Sequence, residues 1–355
     1  MEELIFKNSG GIQSPPDERD FDLHLVAANT LPQTLPDSSF IDVSKLPVWH
    51  QKKIGSCVGH AWGKSQQKCE LVETGKVINL SPRFLYALAK CKDGVPGEGT
   101  YPRLVGQILK DYGCATEDTV PNNSDLSHEE YVYFRKQENI PQSAFLEAPK
   151  YGIAGYAFSK INDEHAIKEA IEYARLKNQG VVMLKRVGDT YWVAPDGSIT
   201  WDKNKILPIR RPSQITSGHE VFPIGYEYRN GRLVIHFLNS WGEGWADQGK
   251  GWFYWDEWKD LIVEIMTSLD KSDVPSNKFK KDLYFGMNHP DVLELQKWLN
   301  NHGFTIATTG PGSPGKETSF FGSLTMSSVK KMQKFYNIEQ TGYFGPKSRQ
   351  VANTL

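Results

Sequence analysis

Cysteine is scarce in this chain: four residues in 355, at positions 57, 69, 91 and 114. So few cannot build a disulfide scaffold, and their spacing is too wide for a close-set zinc site. One bridge at most is compatible with them, among the last three. An excess of one charge is also missing, since 41 Lys and Arg nearly cancel 42 Asp and Glu. That removes any global pull toward nucleic acid or anionic lipid, so a partner has to be recognised locally. No apolar run approaches the length of a membrane span. The first residues, MEELIFKNSGGIQSPPDERDF, lack the basic start and apolar core of a signal peptide.

Aromatic side chains are plentiful: 10 Trp, 15 Tyr and 17 Phe, enough with the aliphatics for packed cores. At this length two domains are expected. Residues 1–45, rich in Pro, Gly and Asp with little periodicity, read as an extended strap. Helical patterns follow at 57–75, in SPRFLYALAKC with Ser81 capping and Pro82 in the first turn, in RLVGQILKDYG ending on Gly113, and in DEHAIKEAIEYARL at 163–176. The texture then changes. VVMLKRV, HEVFPIGYEY, RLVIHFLNSWG and GWFYWDEW are short, β-branched or aromatic, and separated by Gly, Asn and Asp turns, the pattern of antiparallel strands. Helices first and strands second make an α+β body over 46–267. A polar stretch with lysines and a proline at 268–282 reads as a linker.

An internal repeat lies beyond it. DVLELQKWL (291–299) and SVKKMQKFY (328–336) match at several offsets, and FFGSLT (320–325) parallels YFGPKS (343–348). Residues 283–355 are therefore a duplicated helix-and-turn unit without a cluster of catalytic residue types, and binding is the expected role. Leu295, Leu299, Val329, Met332 and Phe335 at helical spacing are its expected core. Gln296 and Gln333 fit either a helix surface or a buried orienting role.

The chemistry-bearing stretch is HQKKIGSCVGHAWGKSQ (50–66). Cys57 is either core filler or a helix-opening thiol, where unpaired N–H groups and the macrodipole favour the thiolate. A nucleophile needs a base, an orienter for that base, and donors for an oxyanion. His219 lies in one strand and Asn239 ends the next, so neighbouring antiparallel strands can bring them together. The Gln51 amide can serve an oxyanion beside the Cys57 N–H. His60, one helical turn beyond Cys57, is read as packing, and His236 as structural on the opposite sheet face.

Gln51, GSC at 55–57, SGH at 217–219 and NSWGEGW at 239–245 resemble, in order, the four signatures of the papain-like cysteine peptidases. The resemblance extends to LSPRFLYAL and DQGKGWFYW and covers residues 17 to about 267. It implies a two-lobed α+β fold, one helical lobe and one antiparallel β lobe, with the cleft between them. By the same resemblance Cys57 is the nucleophile, His219 the general base and acid, Asn239 the amide orienting His219, and Gln51 the oxyanion donor. Trp241 shields the Asn–His bond, and Gly55, Gly99 and Gly218 line the cleft. The implied resting state is a thiolate–imidazolium pair, and no cofactor or metal is called for. Independently, 283–355 resembles the small all-α peptidoglycan-binding domain built from two LQ-helix and FG-turn repeats.

The departures matter too. Val58 stands where the family has an aromatic residue and Ile54 where it has a cysteine, so one familiar disulfide cannot form. Cys91 occupies a place where relatives often carry a disulfide cysteine, with Cys114 as the partner the resemblance suggests. His219 lies farther from Cys57 than in compact members, which implies an insertion around 185–215. The strap, whose DERDF resembles a segment preceding the body in bacterial members, is either integral or a pro-segment along the cleft. The integral reading is preferred, with part of the cleft covered. The expectation is a monomeric cysteine endopeptidase acting on protein or peptide substrates. It is extracellular or wall-associated through peptidoglycan, without nucleic acid or a membrane span. Two rivals are a hydrolase of peptidoglycan stem peptides or cross-bridges, and a non-catalytic wall-binding protein.

Overall fold

The stretch that opens on Cys57 forms helix α1, Cys57–Thr74, ended by Gly75 at φ 70°, a left-handed position that glycine takes without a Cβ penalty. In the computed structural model, residues 10–17, 20–28, 30–123, 127–131, 139–188, 201–202, 205–206, 211–270 and 278–354 are described. α1 is buried continuously from Cys57 to Glu70, so its polar side chains must be satisfied internally. Lys64 Nζ donates to Pro47 O and Gln67 Oε1, Gln67 Nε2 to Ile78 O, and Gln66 Nε2 to Glu70 Oε1.

Helix α2, Pro82–Lys92, starts as its sequence predicts: Pro82 stands in the first turn and Ser81 Oγ accepts from the Phe84 N–H at 3.1 Å. It packs closely on α1, because a Cβ on Gly59 would stand 2.7 Å from Pro82 O. Helix α3, Pro102–Asp111, stops before Gly113 at φ 80°. Trp49, Trp62, Phe84, Leu88, Val105, Ile108 and Leu109 form the helical side of the core. Helix α4, Glu164–Leu176, is capped by Asp163.

An antiparallel sheet, most of it from the second half of the chain, packs beside these helices. Its strands are β1 (Ser39–Phe40), β2 (Gly155–Phe158), β3 (Val181–Gly188), β4 (Ile215–Arg229), β5 (Arg232–Leu238), β6 (Lys250–Tyr254) and β7 (Ile262–Leu269). The order along the sheet is β2-β7-β3-β4-β5-β6, with β1 added to β4. α1 lies against β4 and β3. The start of the first helix thus meets the strand that carries His219. Most of the insertion expected around 185–215 lies outside the described residues.

Two compact units divide the chain, Met1–Pro15 with Asp22–Lys271, and Pro16–Phe21 with Ser272–Leu355. The expected 268–282 linker narrows at both ends: β7 continues to Leu269, and Phe279 is buried against Phe344 within the second unit. That unit contains helices α5 (Pro290–Asn301), α6 (Ser323–Phe335) and α7 (Pro346–Thr354). Leu295, Leu299, Val329 and Met332 are fully buried.

Phe335 corrects the expectation. As the last residue of α6 it is 73% exposed and only edges Phe304 and Tyr336. The two glutamines prove to be buried orienters. Gln296 Nε2 donates to Phe320 O while its Oε1 accepts from the Thr318 N–H; Gln333 Nε2 donates to Tyr343 O while its Oε1 accepts from the Gly342 N–H. Each LQ-type helix therefore holds its own FG turn.

The suggested Cys91–Cys114 bridge is also corrected. Cys91 and Cys114 are not joined by a disulfide, and the Cys114 thiol is buried against backbone carbonyls of Ser81 and Ala115. Among the described residues no helix is long and apolar enough to cross a membrane.

Candidate active site

Cys57 is the first residue of α1 and is wholly buried. Ser56 precedes it without capping the helix through its side chain, which leaves first-turn N–H groups for whatever charge develops there. The Sγ atom lies 3.5 Å from the backbone N–H of Glu220, the residue after His219. Cys57 and His219 are thus brought together from opposite halves of the sequence.

His219 Nε2 is 2.8 Å from Asn239 Oδ1. The amide orientation is fixed independently, because the same Oδ1 accepts from the Ser240 N–H at 2.8 Å. An oxygen facing Nε2 requires that nitrogen to carry the proton, leaving Nδ1 as the basic one. Trp241 lies over the imidazole, with ring centroids 4.6 Å apart and a 30° tilt, and is itself braced edge-on by Trp245.

Gln51 is buried beside them. Its Oε1 accepts from Ser240 Oγ at 2.5 Å and its Nε2 donates to Ile54 O at 2.9 Å. A primary amide has two N–H bonds, so one remains beyond the Ile54 contact. Ser240 was missed by sequence reasoning, although it sits inside the NSWG motif. Through its backbone N–H and its hydroxyl it orients both Asn239 and Gln51.

The three cleft glycines are found where the N-terminal strap crosses. Gly11 N–H donates to Gly218 O, Ile12 N–H to Thr100 O, and Thr100 N–H to Gly10 O. Space is so tight that a Cβ on Gly10 would stand 1.7 Å from Gly55 O, one on Gly99 2.8 Å from Gly10 O, and one on Gly218 2.2 Å from Gly11 O. Farther along, the Ser14 N–H and hydroxyl both donate to the buried Glu264 carboxylate. The strap therefore runs over Gly55, Gly99 and Gly218, with the Gly10 N–H at the Cys57 thiol.

That cover changes the electrostatics expected of the pair. Burial pushes the Cys57 thiol up to about 12 despite N–H groups of Glu220, Gly10 and Val58 around it. Burial, with Lys185 next, pushes His219 down to about 3, against the Asn239 bond. Both shifts run against the anticipated thiolate–imidazolium pair, because burial penalises the charged form of each group.

A sequence profile described as "Papain family cysteine protease" matches residues 41–267. The chain belongs to that family. A second profile, "Putative peptidoglycan binding domain", matches residues 288–351. Mexicain of Jacaratia mexicana is 26% identical over 203 residues, covering 57% of this chain and 80% of that protein. Cathepsin K of Mus musculus is 24% identical over 259 residues, covering 70% and 68%. Among solved structures, xylellain, a cysteine protease from Xylella fastidiosa, shares the fold with a TM-score of 0.58 at 18% identity, covering 76% of this chain and 98% of its own. This papain-family protease has the expected mixed α+β body and a helical C-terminal peptidoglycan-binding domain.

His60 and His236 are both held by local partners. His60 is buried, its Nδ1 bonded at Ser56, and burial pushes it down to about 4. His236 pairs with Glu227 at 2.9 Å on β5. Among the described residues no group of His, Cys, Asp and Glu is arranged to hold a metal ion.

Proposed function

We propose that this protease is an endopeptidase that hydrolyses peptide amides through Cys57, His219, Asn239 and Gln51, and that its tail holds it at the cell wall. The supporting observation is the 2.8 Å contact between His219 Nε2 and Asn239 Oδ1 beneath Trp241, on the strand whose next N–H touches the Cys57 thiol. Once the strap withdraws, His219 takes the thiol proton on Nδ1 and Cys57 attacks the scissile carbonyl. The oxyanion is held by the Cys57 N–H and the remaining Gln51 N–H. His219 then protonates the leaving amine, and water activated by the same imidazole clears the thioester. Gly55, Gly99 and Gly218 admit an extended backbone to the cleft, and Trp241 keeps water from the Asn–His bond.

The C-terminal profile favours a peptidoglycan partner, an extracellular or wall-associated site of action, and a second substrate class, the stem peptides of the wall. Parallel assays of the full chain on casein and on purified sacculi separate these. Casein cleavage that Cys57→Ala abolishes, together with sedimentation on sacculi, supports the proposal. Release of stem peptides without casein cleavage would replace it with a wall hydrolase. Binding without either activity would leave only a wall-binding protein.

A further inference from the structure

Glu98 takes no part in the chemistry above, yet its carboxylate stands at the cleft. Oε2 accepts from the Gly55 N–H at 2.7 Å, and Gly55 lies just ahead of Cys57 in the GSC motif. The side chain is half-buried, and among the described residues it has no ion pair and no second hydrogen bond. Its loop is held on α2: Lys90 Nζ donates to Val95 O and Gly99 O, and the Gly99 N–H donates to Tyr86 Oη. A charge carried on so anchored a loop needs little rearrangement to meet a ligand.

The strap marks which substrate residue meets that charge. Gly10 rests with its N–H at the Cys57 thiol and its carbonyl on the Thr100 N–H. A substrate must give this place to the residue whose carbonyl Cys57 attacks. A Cβ on Gly55 would stand 2.8 Å from Glu98 Oε2 and 3.4 Å from Gly10 Cα, so the carboxylate and the strap residue flank a single point. A Cβ on Gly10 would head for Gly55 O, and a side chain at this position therefore faces the wall that carries Glu98. The strap puts glycine there, which offers the carboxylate nothing.

As a bare acceptor for the Gly55 N–H, an uncharged amide oxygen would serve equally well. A carboxylate adds a charge that attracts a guanidinium or ammonium and repels another carboxylate, and a half-buried cleft screens it less than open water does. We propose that Glu98 sets specificity, selecting Arg or Lys at the substrate residue that supplies the scissile carbonyl. The inference rests on the catalytic reading of the quartet.

The test compares two fluorogenic peptides on the full chain, identical except for Arg or its uncharged isostere citrulline at that residue. Both meet the same enzyme, so the ratio of their kcat/KM values does not depend on how often the strap opens. Expected is a ratio of roughly ten or more in favour of Arg, falling as salt rises. In Glu98→Gln, whose amide oxygen keeps the Gly55 bond, the ratio should drop to about two or less, and Glu98→Lys should reverse the preference. A wild-type ratio near unity, a ratio indifferent to salt, or one that survives in Glu98→Gln overturns the inference and leaves Glu98 as an acceptor for the Gly55 N–H alone. The wild-type salt response decides the matter even where a variant fails to fold. With Cys57→Ala inactive, any of those results leaves the catalytic reading standing. If Cys57→Ala retains activity, the catalytic reading fails and takes this inference with it.

Discussion

A single methyl group at Gly10 should open the cleft. Its Cβ would stand 1.7 Å from Gly55 O, a backbone atom at the start of α1 that cannot swing aside, so in Gly10→Ala the strap must lift. Lifting it breaks the bonds of Gly11 to Gly218, Ile12 to Thr100, and Thr100 to Gly10. The Ser14 anchor on Glu264 lies farther along and can remain. At about 1 kcal/mol net per backbone bond, the covered state loses about 3 kcal/mol. That is roughly a hundredfold in the covered-to-open ratio at ~1.4 kcal/mol per factor of ten. The covered thiol is pushed up to about 12 and is almost entirely protonated at neutral pH, so its reactivity reports opening. The assay is the rate of Cys57 alkylation by iodoacetamide at pH 7, with turnover of a soluble fluorogenic peptide measured in parallel. Both should rise in Gly10→Ala, by up to about a hundredfold. Alkylation that is unchanged or slower, in a protein with a native circular dichroism spectrum, would refute the idea that the strap holds the site closed.

Other outcomes follow from the same geometry. Gln51→Ala should lower kcat by about 10² to 10³ with little change in KM, as expected for losing one oxyanion donor; a change confined to KM would reassign Gln51 to substrate binding. His60, pushed down to about 4 by burial, has a folded pKa below its unfolded value. Its contribution to stability is therefore present above about pH 6.5 and is lost as pH falls through 4, by about 3 kcal/mol in all. Denaturant midpoints measured from pH 7 to 4 should fall less steeply in His60→Gln than in wild type, and parallel curves would show that His60 is not the group responsible. In the tail, Gln333→Ala removes bonds to Tyr343, Ser348 and Gly342 and should cost about 2–4 kcal/mol in tail stability, read as a lower melting temperature for that unit.

The quartet was legible because its chemistry demands particular residue types at separations that a helix start and two adjacent strands can close. The strap's path was only partly legible. Its Pro, Gly and Asp content announces extended chain, but the pairing of Gly10 and Gly11 with Thr100 and Gly218 depends on tertiary approach that no local pattern encodes. Ser240 escaped for a related reason, since the partner of its hydroxyl, Gln51, is distant in sequence. The thiolate–imidazolium expectation weighed the helix terminus alone, whereas burial of Cys57 and His219 works against charging either group. Phe335 misled because helical spacing carries no information about where a helix leaves its core: α6 ends there and the ring turns to solvent. The repeat in the tail was plain, yet only the structure shows both glutamines holding their FG turns.

Whether Cys57 is the nucleophile is tested most directly by treating the full chain with an epoxide-type thiol inhibitor and locating the adduct by mass spectrometry while peptide hydrolysis is followed. One adduct per chain on Cys57, formed in step with the loss of activity and absent in Cys57→Ala, is the predicted result. Activity that survives complete modification of Cys57, or an adduct on Cys69, Cys91 or Cys114 that tracks the loss instead, would contradict it.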